Sequence, residues 1–532
     1  MIERESGLRK STLSAFVVMV CTLISRFLGF IRIATITAIF GAGGKADIVN
    51  LTFSIPNNLR KLLAEGALSS AFIPVLSETL IKDNTGETAK KVVRNIFTLQ
   101  LVIIIPLITL TILFAEPIIM HVLAEFRDPE QIALATRLFR YFINYLLLIS
   151  VSAMLMGVLN SHNKFFIPAF TPVLFSLCVI GSTLLLHRRL SVFSMAVGVL
   201  VGGVAQLFFQ IPTYSRLGYD VRFDFGFRNP HFLRIMKRWV PVLATSSLFT
   251  ITQQVALRFA SGLEAGSVTA ISIAIVFFQL PFGIFSSSLT TVLFPRMSRQ
   301  AASGDVDGLR ESLQYGLRFL LVLLIPSAVF LALFGRPLIS VALQRGAYSP
   351  ESGIYTAKVL AAYALGLFGV GGFTFCQRLF YSMQRYGIPF FIALGVSILD
   401  VTLVLWLKET PLRAAGIALA NSIAFTAGTV AFLVFARDRL GQIDGKRIAK
   451  TAAKVFVSVI PPAAGLVLLA RVTAPVWEVK STVWSFAILG AVALGFSGIV
   501  LVFYRFFRIE VLAVLRKNRP GDGERKIEND GV

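Results

Sequence analysis

The chain has 532 residues, of which 55% are hydrophobic and 15% are charged, and its mean hydropathy is +0.76. A soluble domain carries roughly 25% charged residues and could not bury this much apolar surface, so a water-soluble enzyme is excluded first. The formal net charge of +23 would suggest nucleic acid in a soluble protein. Membrane proteins collect Lys and Arg in cytoplasmic loops, so this charge reports mainly on topology, and nucleic acid is not an expected partner.

A bilayer span needs about 20 apolar residues. About fourteen runs of that kind follow one another along the chain, near 13–41, 46–81, 93–123, 131–160, 166–186, 190–212, 236–261, 268–295, 312–335, 356–383, 388–407, 413–436, 451–471 and 481–507. The N-terminal run is followed by Arg26 and Arg32 and has no small-residue cleavage site, which favours a retained span over a removed signal peptide. The sequence therefore predicts an all-α polytopic membrane protein.

The loop charges predict the orientation. With the N-terminus inside, the cytoplasmic segments hold the basic clusters near Arg4–Lys10, Lys82–Arg94, Arg216–Arg238 and Arg437–Lys450, and the tail around Arg516–Lys526. The opposite loops hold far fewer basic residues, a bias of roughly threefold. Both termini are therefore expected in the cytoplasm of a bacterial inner membrane, with an even number of spans.

The chain repeats itself at an offset of about 220 residues. The repeat superimposes four proline pairs, which are Pro74 with Pro295, Pro106 with Pro326, Pro117 with Pro337, and Pro168 with Pro389. One period holds six spans, so the halves have the same orientation and should be related by a pseudo-twofold axis along the membrane normal. We predict six-helix lobes at 1–215 and 216–440, two extra helices within 441–510, and a basic cytoplasmic tail at 511–532.

Charged residues lie inside the predicted spans of the first lobe. Arg26 and Arg32 fall on the first span, Asp47 follows it, and the second span carries Arg60, Lys61 and Glu65. An Arg at bilayer depth costs about 2.5–3.5 kcal/mol on insertion scales. Such residues either snorkel and pair with Asp47 and Glu65, or they line a water-filled cationic cavity. A cavity of that kind predicts an anionic substrate, because the planar guanidinium binds two phosphate oxygens at once.

Other intramembrane residues give weaker signals. Arg258 and Lys358 either line the same cavity or lie near span ends, and Asp400 with Asn421 is either a cation or proton site or a structural hydrogen bond. The cysteines Cys21, Cys178 and Cys376 lie in apolar runs without metal-ligand spacing, and there is no HExxH motif or nucleophile elbow. No catalysis, metal or cofactor is expected.

Several motifs resemble one known family. They are SRFLGFIR, IFGAGGKAD, FSIPNNLRKLLAEGALSSAFIPVLSE, GVLNSHNKFFIPAFTPV, EAGSVTAI, QLPFGIF and LFYSMQRYGIP. In this order they resemble the MurJ (MviN) family of lipid II flippases, within the multidrug/oligosaccharidyl-lipid/polysaccharide exporter superfamily. The resemblance implies export of undecaprenyl-pyrophosphate-linked disaccharide-pentapeptide for peptidoglycan synthesis. It places cavity arginines at Arg26, Arg32 and Arg60, and the basic residue of the tenth span at Lys358.

The chain departs from the family pattern at two positions. Ile33 stands where an acid often follows the second arginine, and Val276 stands where an arginine is common, so Arg258 or Lys358 would have to replace that arginine. The alternative function is cation-coupled export of another polyprenyl-linked oligosaccharide or of drugs; a scaffold or lipid-modifying enzyme has less support. Expected partners are lipid II, membrane lipids and the cell-wall synthesis or division machinery. Sodium, protons or the membrane potential would supply the energy.

Overall fold

The computed structural model describes residues 2–63, 67–83, 86–472 and 483–509, and within these ranges the chain is helical and forms no strand. The first ten helices are α1 (Ile2–Phe40), α2 (Gly44–Leu63), α3 (Ala67–Lys82), α4 (Glu87–Leu113), α5 (Ala115–Ile118), α6 (Pro129–Phe142), α7 (Tyr145–Ser161), α8 (Phe166–Leu190), α9 (Phe193–Arg216) and α10 (Pro230–Ser261). The following nine are α11 (Ser267–Pro281), α12 (Ser288–Ala302), α13 (Val306–Leu343), α14 (Pro350–Leu365), α15 (Leu367–Ser382), α16 (Gly387–Leu407), α17 (Ala414–Leu440), α18 (Gly445–Val472) and α19 (Val483–Phe506). Short π-helical turns at Ile119–Leu123 and Phe282–Ser287 extend α5 and α11.

Each predicted span coincides with a helix or a pair of consecutive helices. Within the described residues, 11 helices are long and apolar enough to cross a membrane, and α14 with α15, bent by 44°, make a twelfth if the pair counts as one span. The remaining two predicted spans are α2–α3 and α10, which do not meet the same criterion of length and apolarity. The all-helical, multi-span fold is confirmed, while the count of fourteen stays a prediction.

The described chain divides into two compact units. Unit 1 comprises Met1–Thr269 with Arg345–Ser349, and unit 2 comprises Ala270–Gln344 with Pro350–Val532. Helix α10 belongs to unit 1 because it packs on α2, α3 and α4. The predicted domain limits at 215/216 and 440/441 follow the sequence repeat and stay predictions.

Close helix packing in unit 1 depends on small residues between α8 and α9. A Cβ at Gly198 would lie 2.8 Å from the Cα of Val179, and a Cβ at Gly202 would lie 2.9 Å from the Phe175 ring. Glycine at both positions therefore lets α9 approach α8 closely. Helix α8 also packs along α1, and this fixes Phe175 beside the first span.

In unit 2, α13 is the central helix and packs against α14, α15, α18 and α19. The predicted extra C-terminal helices are the last two of these. They bury Val455, Val459 and Phe496 in one core with Phe334, and the Tyr504 hydroxyl donates to the Val322 carbonyl at 2.8 Å. The two C-terminal helices are therefore integral to this unit.

The backbone itself carries the sequence repeat. Asn163 and Gln384 have φ of 58° and 56°, and Ser191 and Arg413 have φ of 49° and 50°. Each pair is about 220 residues apart, the offset found in the sequence. Positive φ is uncommon for residues other than glycine, so its recurrence at matched positions shows that the two halves share turn geometry. The predicted symmetry axis stays a prediction.

Candidate functional site

Two predicted arginines come together in unit 1. Arg32 on α1 and Arg60 on α2 are both half-buried, and their guanidinium groups interact electrostatically with each other and with the Tyr145 hydroxyl on α7. The guanidinium carbon of Arg32 lies 5.2 Å from the centre of the Phe175 ring. We call Arg32, Arg60, Tyr145 and Phe175 the cationic cluster.

Aromatic rings form a wall beside the two arginines. The centroids of Tyr145 and Phe175 are 5.2 Å apart, and Phe53 lies 6.4 Å from Tyr145 and 5.4 Å from Phe142. A guanidinium over a ring face is attracted by the ring quadrupole, and this attraction grows when water is excluded. The wall therefore holds Arg32 in place without neutralising its charge.

Helix α2 presents polar side chains where a membrane helix is normally apolar. Asn57 accepts hydrogen bonds from Nε and Nη2 of Arg60 at 3.3 and 3.2 Å, and Ser54 donates to Gln254 of α10 at 2.9 Å. Pro56 removes one backbone hydrogen bond within α2. Polar groups at membrane depth usually face a bundle interior or a water-filled path, and here Ser54 contacts α10 while Asn57 contacts Arg60.

The carboxylate of Asp47 does not neutralise the cluster. It accepts hydrogen bonds from the backbone N–H groups of Gly266 at 2.7 Å and Thr269 at 2.8 Å, and from the Thr269 hydroxyl at 2.7 Å. In the described ranges no carboxylate forms an ion pair with Arg32. The alternative in which Asp47 pairs with the span arginines is therefore wrong, because α11 uses this carboxylate to satisfy the free N–H groups of its first turn.

Asp47 belongs to a set of tightly joined loops at one end of unit 1. Gly266 adopts a φ of 98°, and a Cβ there would lie 2.5 Å from the Ala42 carbonyl oxygen. The N–H of Ala347 donates to the Ala38 carbonyl at 2.8 Å. The turn after α1, the turn before α11 and the segment Arg345–Ser349 are thereby held together, and this end of the unit is closed.

Comparison with known proteins gives the family. Residues 36–488 match the family described as lipid II flippase MurJ. The chain belongs to the MurJ family. The probable lipid II flippase MurJ of Borreliella burgdorferi is 33% identical over 508 residues, which covers 95% of this chain and 98% of that protein. The lipid II flippase MurJ of Burkholderia cenocepacia is 29% identical over 385 residues, or 71% of this chain and 74% of that protein.

Solved structures agree with this membership. A lipid II flippase MurJ in an inward closed conformation has a TM-score of 0.75 at 26% identity and covers 92% of this chain and 99% of its own. An inward-facing multidrug resistance MATE family transporter of the MOP superfamily has a TM-score of 0.65 at 14% identity, with 82% and 99% covered. This second likeness shows the shared fold alone.

The structure places the other predicted residues of this MurJ-family chain outside the cluster or leaves them undescribed. Arg26 is exposed on α1, and Arg258 lies near the end of α10 with its Nε 3.8 Å from Glu125. Lys358 is exposed on α14 in unit 2. The side chain of Lys61 and the whole of Glu65 lie outside the described residues. Roles for these residues in substrate binding remain predictions.

Asp400 lies in the interior of unit 2. Its side chain is only 2% exposed, Asn421 donates to Oδ2 at 3.1 Å, and Oδ1 has no hydrogen-bond partner within the described chain. Tyr363 of α14 interacts with it electrostatically. Among the described residues, no three His, Cys, Asp or Glu side chains form a metal-binding group. A single carboxylate with one free oxygen can hold a proton, or a monovalent cation with neutral oxygen ligands.

Tyr145, Phe175 and Asn57 are not among the residues predicted from the sequence. Asn57 adjoins Arg60 within one helical turn, so the motif PNNLR contained a usable signal. Tyr145 and Phe175 lie more than 80 residues away from Arg60 in a chain with 47 phenylalanines. Nothing in the local sequence distinguishes these two rings from those that face lipid.

Proposed function

We propose that this protein transfers lipid II from the cytoplasmic to the outer leaflet of the bacterial inner membrane for peptidoglycan synthesis. Membership of the MurJ family supports the substrate. The observation that carries the mechanism is the half-buried cationic cluster with no carboxylate paired to Arg32. The protein acts as a transporter and provides a polar path without covalent chemistry.

The cluster suits a pyrophosphate. A pyrophosphate that leaves water loses strong hydration, and charged donors must replace it. Arg32 and Arg60 are held by a ring and by Asn57, so their planar guanidinium groups are oriented before the substrate arrives. The long prenyl chain stays in lipid while the polar headgroup follows the helices α2 and α10, which carry the polar side chains Ser54, Asn57 and Gln254.

Alternating access requires the closed end of unit 1 to open. We infer that release of Asp47 from the first turn of α11 is part of that opening.

Under the predicted topology this end faces away from the cytoplasm, and both termini lie in the cytoplasm. Labelling of a single cysteine placed in the tail near Lys517 tests this topology, and labelling from outside the cell would contradict it.

We propose that the energy for transport enters through an ion site in unit 2. Asp400 and Asn421 would bind a proton or a sodium ion, and the membrane potential would act on moving charges with about 2.3 kcal/mol per charge per 100 mV. The cell-wall synthesis or division machinery would take up the exported precursor.

Complementation of a flippase-depleted bacterium tests the proposed function. The wild-type chain should restore growth and raise lipid II in the outer leaflet, measured by labelling from outside. Arg60→Ala should restore neither at normal membrane level. Arg378→Ala is the matched control, because Arg378 also lies over a ring, 5.8 Å from that of Phe294, and belongs to unit 2. Failure of the wild-type chain to export lipid II would contradict the proposal.

A further inference from the structure

A small cavity lies between α4 and α10 of unit 1, away from the cationic cluster. Its apolar lining includes Ile96, Leu99, Ile104 and Met236. Among the described residues its polar lining consists of Gln100 and Trp239, and its volume is about 20 Å³. Such a volume admits one group of the size of a water molecule or a carbonyl oxygen. A phosphate or a sugar is too large for it.

Two buried polar groups at this cavity have no hydrogen-bond partner within the described chain. Gln100 is only 8% exposed, and neither its Oε1 nor its Nε2 is bonded. The indole Nε1 of Trp239 is also buried and unbonded. Buried polar groups in native proteins are nearly always satisfied. A ligand with a small acceptor oxygen would satisfy the two donors, Gln100 Nε2 and Trp239 Nε1.

The neighbouring loop gives the depth of the cavity in the membrane. Arg94 donates to Asp220 at 2.7 Å, and the Thr98 hydroxyl accepts from the Asp224 N–H at 2.8 Å. This charged loop therefore lies along the first three turns of α4 and marks the aqueous edge. Gln100 is two residues beyond Thr98, about 3 Å further along the helix axis at 1.5 Å per residue.

The mouth of the cavity faces lipid. Ile103 lines it and is 43% exposed, and its neighbour Val102 is 48% exposed. In a membrane helix such exposed apolar side chains contact acyl chains. The cavity thus opens to the bilayer just below the headgroups, which is the depth of the glycerol ester groups, and tryptophan is enriched at this depth.

We propose that this cavity binds the ester carbonyl of a glycerophospholipid. The carbonyl oxygen accepts from Gln100 Nε2 and Trp239 Nε1, and the attached acyl chain lies along Val102 and Ile103. None of the described lining side chains is charged, so the proposed contact is with the ester and not with the headgroup. This bound lipid is separate from the transported substrate, because no residue of the cationic cluster lines the cavity.

Tryptophan quenching tests the site in the full chain. Replacing Trp406, Trp477 and Trp484 with Phe leaves Trp239 as the single reporter. A diester phospholipid with brominated acyl chains is titrated into the detergent-solubilised protein. Quenching of Trp239 should saturate at low lipid content. A matched protein that keeps only Trp406, which is 69% exposed, should show quenching that rises with lipid content and does not saturate.

Competition between ester and ether lipids tests whether the cavity binds the ester carbonyl. An unlabelled diester lipid should displace the brominated lipid about three- to tenfold better than its dialkyl ether analogue, which lacks the carbonyl and loses one hydrogen bond. Gln100→Leu should weaken binding by a similar factor and reduce the difference between ester and ether. Unsaturable quenching at Trp239, or equal competition by ester and ether lipids, would overturn the proposal; in that case the cavity holds water or nothing.

Discussion

Arg32 lies over the face of Phe175 at 5.2 Å, and the described chain offers Arg32 no carboxylate partner. A charged group in this position is available to a substrate anion. We therefore expect Arg32→Ala and Arg60→Ala to abolish lipid II export while membrane levels stay normal. Lys at either position should restore export only in part, because it keeps the charge and loses the two-pronged geometry.

The measurement for these variants is lipid II export and membrane level in the same cells. Arg26→Ala serves as the comparison, since Arg26 is exposed on the same helix. It should lose less export than Arg32→Ala. If Lys works as well as Arg at both sites, charge alone matters. Loss of the Ala variants from the membrane would instead indicate a structural role.

We expect Phe175 to increase the affinity of the cationic cluster for the substrate. Phe175→Leu removes a cation–π contact of about 0.5–1 kcal/mol, so substrate binding should weaken by about two- to fivefold. Phe175→Trp should retain the contact. Binding of lipid II to the purified variants measures the effect, and Phe294→Leu, which removes the comparable contact with Arg378, should leave binding unchanged. Equal effects of the two Leu variants would contradict the assignment.

The hydrogen bonds of Asp47 should contribute strongly to the stability of the closed end of unit 1. Asp47→Ala removes a buried carboxylate acceptor of three hydrogen bonds, each of which is typically worth about 1.5–3 kcal/mol when charged. We expect a clear fall in thermal stability in detergent. The control is Asp128→Ala, which removes a carboxylate that caps α6 through one exposed bond at 3.0 Å and should cost only about 1 kcal/mol. An equal loss in both variants would argue against a special role for Asp47.

Asp400→Asn should remove the sodium or pH dependence of transport and leave substrate binding intact. The replacement keeps the shape of the side chain and its contact with Asn421 but cannot bind a proton or a cation as a carboxylate does. Transport into vesicles under imposed sodium, proton and voltage gradients measures the coupling. A variant that keeps its ion dependence would show that Asp400 forms only a structural hydrogen bond.

We expect the stability of the folded protein to depend on pH through His162. Burial and the nearby Lys164 lower the pKa of its imidazole, whose Nε2 lies 2.9 Å from the Tyr219 hydroxyl. Because the folded pKa lies below the unfolded value of about 6.5, the unfolded chain binds more protons within this interval. Stability should therefore rise with pH through the interval and level off above about 6.5. Thermal unfolding between pH 5 and 8 should show less of this slope in His162→Asn; an unchanged slope would assign it to other groups.

The sequence predicted part of the site because charges stand out in apolar runs. Arg32 and Arg60 were found in this way, because placing a charged side chain in a bilayer costs free energy and such residues are usually functional. The use of Asp47 by Gly266 and Thr269 could not be predicted, because those residues are more than 200 positions away and only the tertiary structure brings them together. The fold was easier to predict, because span length and repeated prolines are local signals that the backbone must obey.

The matched turns have a consequence for how the molecule specialised. At the two pairs of positive-φ positions the residues differ, with Asn163 against Gln384 and Ser191 against Arg413, yet the backbone conformation is the same. The same backbone path thus accommodates different side chains. The same freedom explains how the second span of one half holds Arg60 while the corresponding span of the other half, with Val276, is without charge. The repeated scaffold is thus chemically one-sided, and the half that carries the cationic cluster can change without redesign of its helices.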